Sequence, residues 1–349
     1  MKVFMSISNA LPQAFPSYHD KLQTELKEII GSSPSLLYSM LRYHMGWQDK
    51  HGHPYYGKSG KFIRPTLCLL SYQAVGGDMP QILPAAAGLE LVHEFSLIHD
   101  DIEDASYERH HRPTVWKLWG QPQAMNAGDC MLTLACLALF KLKEKGIADK
   151  KILGSTQMLA ETCLELCEGQ YLDIAYESRL DVTIEDYLNM IAKKTAILIA
   201  TSTSLGAYLG TDDEKLVNCL YQFGKGLGMV HQIHDDVLGI WGIKEKTGKS
   251  TKSDILQKKK TLPIVYGLQN SKGEAKQKLE EIYSQEHIQD ENLFEVVRIL
   301  EQLGAKDYSQ NLAKQYYHQA LAQLEATGIA PQNLAPLKEA ARFLMERDY

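Results

Sequence analysis

The feature that most constrains this chain is where its prolines are not. Twelve prolines occur in 349 residues, and none falls between Pro122 and Pro263, a stretch of 140 residues. Folds built from strands and tight turns rarely run that far without one. A helical array does so easily, because proline interrupts helical hydrogen bonding. Alternating apolar and polar patterns are also missing, and apolar residues recur at helical spacing almost throughout. The sequence therefore predicts an all-α fold. With no low-complexity tract, repeat or linker, residues 1–349 read as one domain, long enough to bury a large core.

Helices are expected near 13–30, 35–46 and 66–76, then from Pro80 through Asp104, and again near 121–144 (with Asp129) and 149–177 (with Gln170 and Asp173). Two more cover about 185–210 and 213–241, and the first of them is open to bending at Thr201 to Ser204 by side-chain back-bonding. The C-terminal helices, near 271–285, 290–303, 304–327 and 332–346, read as scaffold or cover.

His93 to Asp104 reads HEFSLIHDDIED. Helical residues four apart lie about 40° apart round the axis and about 6 Å along it. Asp100 and Asp104 therefore share a face, His93 returns to it, and Asp101 lies about 100° away. Crowded carboxylates call for a cation, and acidic oxygens without sulfur or imidazole suit a hard ion, with Mg²⁺ the natural candidate. The bland alternative is a solvated acidic helix end. A second pair, Asp235 and Asp236 in HQIHDDVLGIWG, weighs against that alternative, since Met229, Ile233, Val237 and Ile240 place it on another helix. Lys249, Lys258, Lys259 and Lys260 follow. Two acidic patches with lysines beside them make a site for a ligand rich in phosphate oxygens.

The remaining composition narrows the partners. With 37 basic and 43 acidic residues the formal charge is −6, which argues against a general nucleic-acid binder. Six cysteines in apolar helical stretches, without zinc spacing, read as buried thiols of a reducing compartment. The first residues lack a signal-peptide core and no 18-residue apolar run is evident, so a cytoplasmic protein without a membrane span is expected. Two basic loops remain. HGHPYYGKSGKFIRP sets Gly57, Gly60 and Pro65 around Lys58, Lys61 and Arg64, either as a polar turn or as a diphosphate-binding loop. In ERHHRP, His110 and His111 stand between Arg109 and Arg112, and a phosphate-facing role suits that turn better than a metal site.

Taken in order, these motifs resemble the trans-isoprenyl diphosphate synthases (polyprenyl synthetases) over nearly the whole chain. Asp100, Asp101 and Asp104 match the first aspartate-rich motif, DDxxD, and Asp235 and Asp236, preceded by Gln232, open the second. SGKFIRP matches GGKRxRP, Arg109 to Thr114 match RRGRPT, and Lys194 with Thr195 match the KT pair. His93 matches the isopentenyl-site histidine, and Lys249 and Lys259 match the two later lysines. The chain departs from the pattern at Gly239 (often Asp), Phe62 (usually Arg), His110 (the second Arg of RRG) and His231 (usually Phe). Phe62 and His110 touch the expected homoallylic diphosphate site.

The resemblance implies an isoprenoid-synthase helical bundle with a central cavity, acting as a homodimer. It implies that Asp100, Asp104 and Asp235 hold three Mg²⁺ ions with an allylic diphosphate (dimethylallyl, geranyl or farnesyl). Arg109, Lys194, Lys249 and Lys259 would assist on the allylic side, and Thr195 and Gln232 would face the carbocation. Lys61, Arg64, His93 and His110 would hold isopentenyl diphosphate. Because histidine titrates near neutrality, binding there is expected to tighten toward pH 6. An aromatic at Phe95, five residues before Asp100, is the pattern of one geranylgeranyl-forming type, which points to a C20 product. Two other readings stay open: a terpene cyclase on the same fold, and a non-catalytic subunit that modifies a partner synthase.

Overall fold

The computed structural model describes Pro12 and residues 14–55, 60–242 and 253–346. Gly57, Lys58 and Lys249 lie outside the described residues. The described chain is helical but for one two-residue-stranded hairpin and an isolated bridge. In order it forms α1 (Ala14–Ile30), α2 (Leu36–His44), α3 (Ile63–Ala74), α4 (Leu83–Glu103), the hairpin β1 (Glu108–Arg109) and β2 (Arg112–Pro113), and α5 (Val115–Trp119). Then come α6 (Gln121–Phe140), α7 (Asp149–Glu177), α8 (Ile184–Ile191), a π-helical turn (Ala192–Ala196), α9 (Ile197–Gly210) and α10 (Glu214–Trp241). The C-terminal part holds α11 (Ser253–Leu256), α12 (Leu262–Asn270), α13 (Gly273–Ser284), α14 (Asn292–Gln302), α15 (Ala305–Glu325) and α16 (Pro331–Glu346).

The centre is α9, where almost every residue from Ile197 to Ala207 is buried, as expected of a helix apolar on all sides. It packs between α3 and α10, α4 lies along α6, and α15 covers the outer face of α10. Local signals set the starts. Thr183 and Asp186 form a reciprocal capping box before α8, and the Asp213 side chain accepts from Leu216 N–H at the head of α10.

Three elements differ from expectation. Helix α3 begins at Ile63, where 66 was predicted. Helix α12 was not anticipated, yet Pro263 sits in its first turn, where a missing N–H costs nothing. The helix expected over 185–210 is broken, but not by its hydroxyl run. Ser202 back-bonds to the Leu198 carbonyl at 2.7 Å with α9 intact, and the irregularity lies upstream in the π turn.

Two compositional expectations also change. Among the cysteines only Cys68 and Cys219 are buried; Cys167 is exposed and the others are half-buried, all six being free thiols. The stretch Gln121–Lys145 is long and apolar enough to cross a membrane by length and composition. Here it packs along α4 as a core helix, with Met125, Leu137 and Phe140 exposed on its outer side.

Candidate active site

At the end of α4 the three aspartates take different surroundings. Asp101 is buried and receives a forked ion pair from Arg109, with Nη2 at 2.8 Å and Nε at 3.0 and 3.1 Å from its oxygens. Asp100 and Asp104 stay partly open. Burial pushes the Asp100 carboxyl up to about 6, held down in part by Lys194 and raised further by Asp104. A half-buried acid beside a second acid is the environment that a bound cation would relieve.

Arg109 reaches Asp101 from the hairpin, whose two-residue turn places His110 and His111 at φ 51° and 60°. Both turn residues are left-handed, a conformation that favours Asn-Gly rather than histidine. The hairpin is fastened from outside. Arg112 donates to the Tyr43 carbonyl at 3.0 Å and the Gln48 carbonyl at 2.7 Å, and its guanidinium stacks 4.0 Å from the Tyr43 ring centroid. Tyr43 in turn donates to the Pro113 carbonyl at 2.7 Å. Arg112 is therefore a strut between the hairpin and α2.

The second acidic pair divides in the same way. Asp235 is half-buried, 3.3 Å from His231 Nδ1. Asp236 is buried and accepts from Tyr187 O–H at 2.5 Å, from Leu262 N–H at 2.7 Å and from Gln232 Nε2 at 2.9 Å. Burial outweighs those donors and raises its carboxyl to about 7. With its amide nitrogen on Asp236, Gln232 turns its oxygen to the Thr195 hydroxyl, which donates at 2.8 Å.

Thr195 and Lys194 lie in the π turn, where an added residue widens the helix. The turn is gripped on two sides. A Cβ at Gly169 of α7 would collide with the Lys194 backbone nitrogen, and one at Gly228 of α10 with the Ala196 Cα. That close approach carries Lys194 onto Asp173 of α7, with Nζ 2.6 Å from Oδ2. Lys259, just before α12, closes the circuit, with Nζ 2.7 Å from Asp104, 3.2 Å from Asp173 and 2.8 Å from Glu177. Burial opposes the charge on both lysines, but the acids outweigh it and raise their pKa values. Burial likewise opposes ionised Asp173, and the two lysines outweigh it and hold its carboxyl down.

The basic loop side is different in character. His93, on α4, is held well below the usual imidazole range by burial and then by Arg64 and Arg109, so it is neutral. Burial and Arg109 also lower His110, which moves its titration below the range assumed from sequence. Arg64 stands in the first turn of α3, and Lys61 Nζ lies 5.9 Å from the Phe343 ring centroid of α16. The Phe62 side chain is buried in the core beside His19, and the residue caps α3 in the left-handed conformation. Phe95 is 8% exposed and meets the His99 ring edge-on at 5.2 Å.

The polyprenyl synthetase pattern matches residues 47–300. The chain belongs to the polyprenyl synthetase family. It is 34% identical over 334 residues to the (2E,6E)-farnesyl diphosphate synthase of Mycobacterium tuberculosis, covering 94% of this chain and 91% of that one. It is 38% identical over 258 residues to the geranylgeranyl diphosphate synthase of the same organism, covering 74% and 72%. The polyprenyl synthetase of Streptomyces coelicolor A3(2) superposes with a TM-score of 0.88 at 32% identity, covering 95% of this chain and 98% of that one. The geranylgeranyl pyrophosphate synthetase of Pyrococcus horikoshii Ot3 gives 0.84 at 32%, covering 96% and 98%. The bundle is thus the all-α isoprenoid synthase fold, and the activity is that of a trans-prenyl diphosphate synthase.

As a polyprenyl synthetase, the chain brings Asp100, Asp104, Lys194, Thr195, Gln232 and Lys259 into one network, with Arg109 and His93 beside it. Sequence reasoning passed over the hub of that network. Asp173 had one available signal, a lone acid between Leu172 and Ile174 near the end of a long helix. Tyr187 and the anchoring role of Asp236 had none.

Proposed function

We propose that this polyprenyl synthetase condenses isopentenyl diphosphate with dimethylallyl, geranyl or farnesyl diphosphate, using Mg²⁺, to a linear C20 product. The observation that carries the reading is the circuit Asp104–Lys259–Asp173–Lys194, continuous through Thr195 and Gln232 to Asp236. It joins acids and ammonium groups from the end of α4, from α7, from the π turn and from α10, with Lys259 from the segment before α12. Asp100, Asp104 and Asp235 offer only carboxylate oxygen, the donor set for hard divalent ions, three of which would bind with the allylic diphosphate. When bound, Mg²⁺ supplies positive charge that stabilises the departing diphosphate.

The chain's own residues do the rest. Lys194 and Lys259 exchange part of their pairing with Asp173 and Asp104 for the allylic diphosphate, and Arg109 adds charge from the hairpin. Lys249 is assigned to the same group by its place in the motif. The allylic C–O bond breaks to release pyrophosphate and leave a delocalised cation. The Gln232 and Thr195 oxygens turn their dipoles toward that cation. The isopentenyl double bond, held through Lys61, Arg64, His93 and His110, attacks it; a C–C bond forms and a proton leaves. Apolar helix faces keep water from quenching the cation. Phe95 ends the pocket. The exposed Leu137, Leu153, Leu164 and Tyr171 of α6 and α7 offer the surface for a homodimer.

The test is an incubation of labelled isopentenyl diphosphate with each allylic primer, with Mg²⁺ or with chelator. Labelled linear product that disappears with chelator supports the reading. Hydrocarbon formed without isopentenyl diphosphate would instead mean a cyclase. Chromatography of dephosphorylated products gives the length, expected at C20, and Phe95→Ala should extend it to C25 and beyond. An unchanged distribution in the folded variant would make Phe95 ordinary core.

A further inference from the structure

Of the lysines that follow the second acidic patch, Lys260 is the one whose charge the reaction does not use. The residue is 2% exposed. It comes directly after Lys259, yet the two ammonium groups are held in opposite ways. Lys259 Nζ lies among the carboxylates of Asp104, Asp173 and Glu177. Lys260 Nζ donates to main-chain carbonyls, that of Glu177 at 2.8 Å and that of Lys258 at 3.3 Å, and stands 5.0 Å from the ring centroid of Tyr283 in α13. Burial opposes both charges. At Lys259 the acids outweigh it, whereas at Lys260 burial and then Lys258 bring the pKa down to about 8. For stability alone an apolar side chain would suit this position better. What the ammonium supplies is attachment.

That attachment bears on Lys259, which belongs to no helix. Helix α11 ends before it, and α12 begins only after Thr261. Lys258 closes α11 in the left-handed conformation at φ 58°, with its N–H on the Ile255 carbonyl and the Lys259 N–H on the Asp254 carbonyl. Helix α11 has only four residues and is a slight support by itself. Side chains fasten the segment further. Lys258 Nζ reaches the Gln285 carbonyl just past α13 at 2.8 Å. Lys260 caps Glu177, the last residue of α7, where an ammonium meets unpaired carbonyls and the negative end of the helix dipole. Glu177 is thus gripped twice, by its carboxylate through Lys259 and by its carbonyl through Lys260. An arriving diphosphate would compete for the first contact. The second is part of the buried scaffold.

We propose that Lys260 is a positioning residue for the allylic diphosphate: clamped on the end of α7 and over Tyr283, it holds the Lys259 backbone in place while the Lys259 ammonium passes from carboxylates to diphosphate. The proposal rests on the assignment of Lys259 to the allylic subsite. Lys260 touches no substrate and changes no bond. It acts on affinity for one of the two substrates, through its neighbour.

The experiment measures KM for the allylic and for the isopentenyl diphosphate in wild type, Lys260→Met, Lys260→Gln, Lys259→Ala and the double variant Lys259→Ala with Lys260→Met. Circular dichroism checks folding. Methionine fills the apolar channel without the ammonium, and glutamine keeps polarity but is too short to reach, so either one tests the clamp if the other misfolds. Each should raise the allylic KM about tenfold, the worth of one charge-assisted hydrogen bond, and leave the isopentenyl KM unchanged. In the Lys259→Ala background, Lys260→Met should add nothing, because two residues that act through one contact are not additive. A merely structural Lys260 would raise both KM values or add its full effect to Lys259→Ala. Either of those results, or an unchanged allylic KM in a folded Lys260 variant, overturns the proposal. An unchanged allylic KM in Lys259→Ala itself would overturn it from beneath, by showing that Lys259 does not hold that diphosphate.

Discussion

The two acidic helix ends solve one problem with different partners. In each, one aspartate of the adjacent pair turns inward and anchors the helix, leaving its neighbour partly open. At α4 the anchor, Asp101, meets a charged guanidinium from the hairpin. At α10 the anchor, Asp236, meets only neutral donors, two of them from α8 and the start of α12, and its carboxyl rises to about 7. The first anchor is thus a charge pair that cannot lose one member, and the second is a hydrogen-bond node that tolerates neutrality. The same dipeptide carries a different energetic role at each end.

The strongest test of their equivalence is loss of the outward acids. Asp100→Ala, Asp104→Ala and Asp235→Ala should each lower turnover by at least about a hundredfold, since each removes stabilisation specific to the transition state. Steady-state rates at saturating substrates measure it. Near-normal turnover for Asp235→Ala alone would break the parallel between the ends.

The anchors test the difference. Asp101→Asn leaves Arg109 without its counter-charge and should cost about 3–5 kcal/mol of stability, as for breaking a buried pair. Asp236→Asn keeps a neutral group in place and should cost about 1–3 kcal/mol. Denaturant unfolding ranks them, and a reversed order would mean that the charge on Asp236 matters more than its donors imply.

Glu90, about three turns before Asp101 on α4, extends the contrast to a carboxyl buried near another acid. Burial, then Glu94, raises it to about 8, with Arg64 pulling it down. The folded protein therefore keeps this proton at pH values where the unfolded chain has lost it. The associated stability is full below the unfolded value and is lost as pH rises through about 8. Glu90→Gln should remove a decline of about 1 kcal/mol per pH unit between pH 5 and 8, read from unfolding at several pH values. An unaltered slope would mean that other groups set it.

The smallest effect is expected at Gly239. Its missing side chain leaves room for the Asp254 carboxylate, which a Cβ would meet. That contact is with the end of a rotatable side chain, so Gly239→Asp should alter turnover by less than about tenfold. A larger loss would show that Asp254 cannot move aside.

The parts of this site readable in sequence were those fixed by spacing along one helix. Asp100 with Asp104 follows from a period of 3.6 residues. What was not readable depends on partners distant in the chain. Nothing near Asp101 says that Arg109 will fold back on it, and nothing near Asp236 names Tyr187 or Leu262 as donors. The burial of Phe62 was not readable either: it caps α3 in the αL conformation with its side chain in the core, and a phenylalanine carries no preference that would announce it. The hub at Asp173 needs Lys194 and Lys259 at once, two segments it never neighbours in sequence.

The π turn between α8 and α9 has a consequence for how this sequence can change by insertion or deletion. Removing one residue from Ala192–Ala196 would give an unbroken α-helix with better local hydrogen bonding. The added residue is absorbed within the turn, so the helix beyond it would keep its register, with Thr201 on Thr162 and Gly206 against the Cys68 carbonyl. What the shorter segment would lose is the widened backbone gripped by Gly169 and Gly228, which carries Lys194 onto Asp173. A deletion there would spare the core and fall on the site.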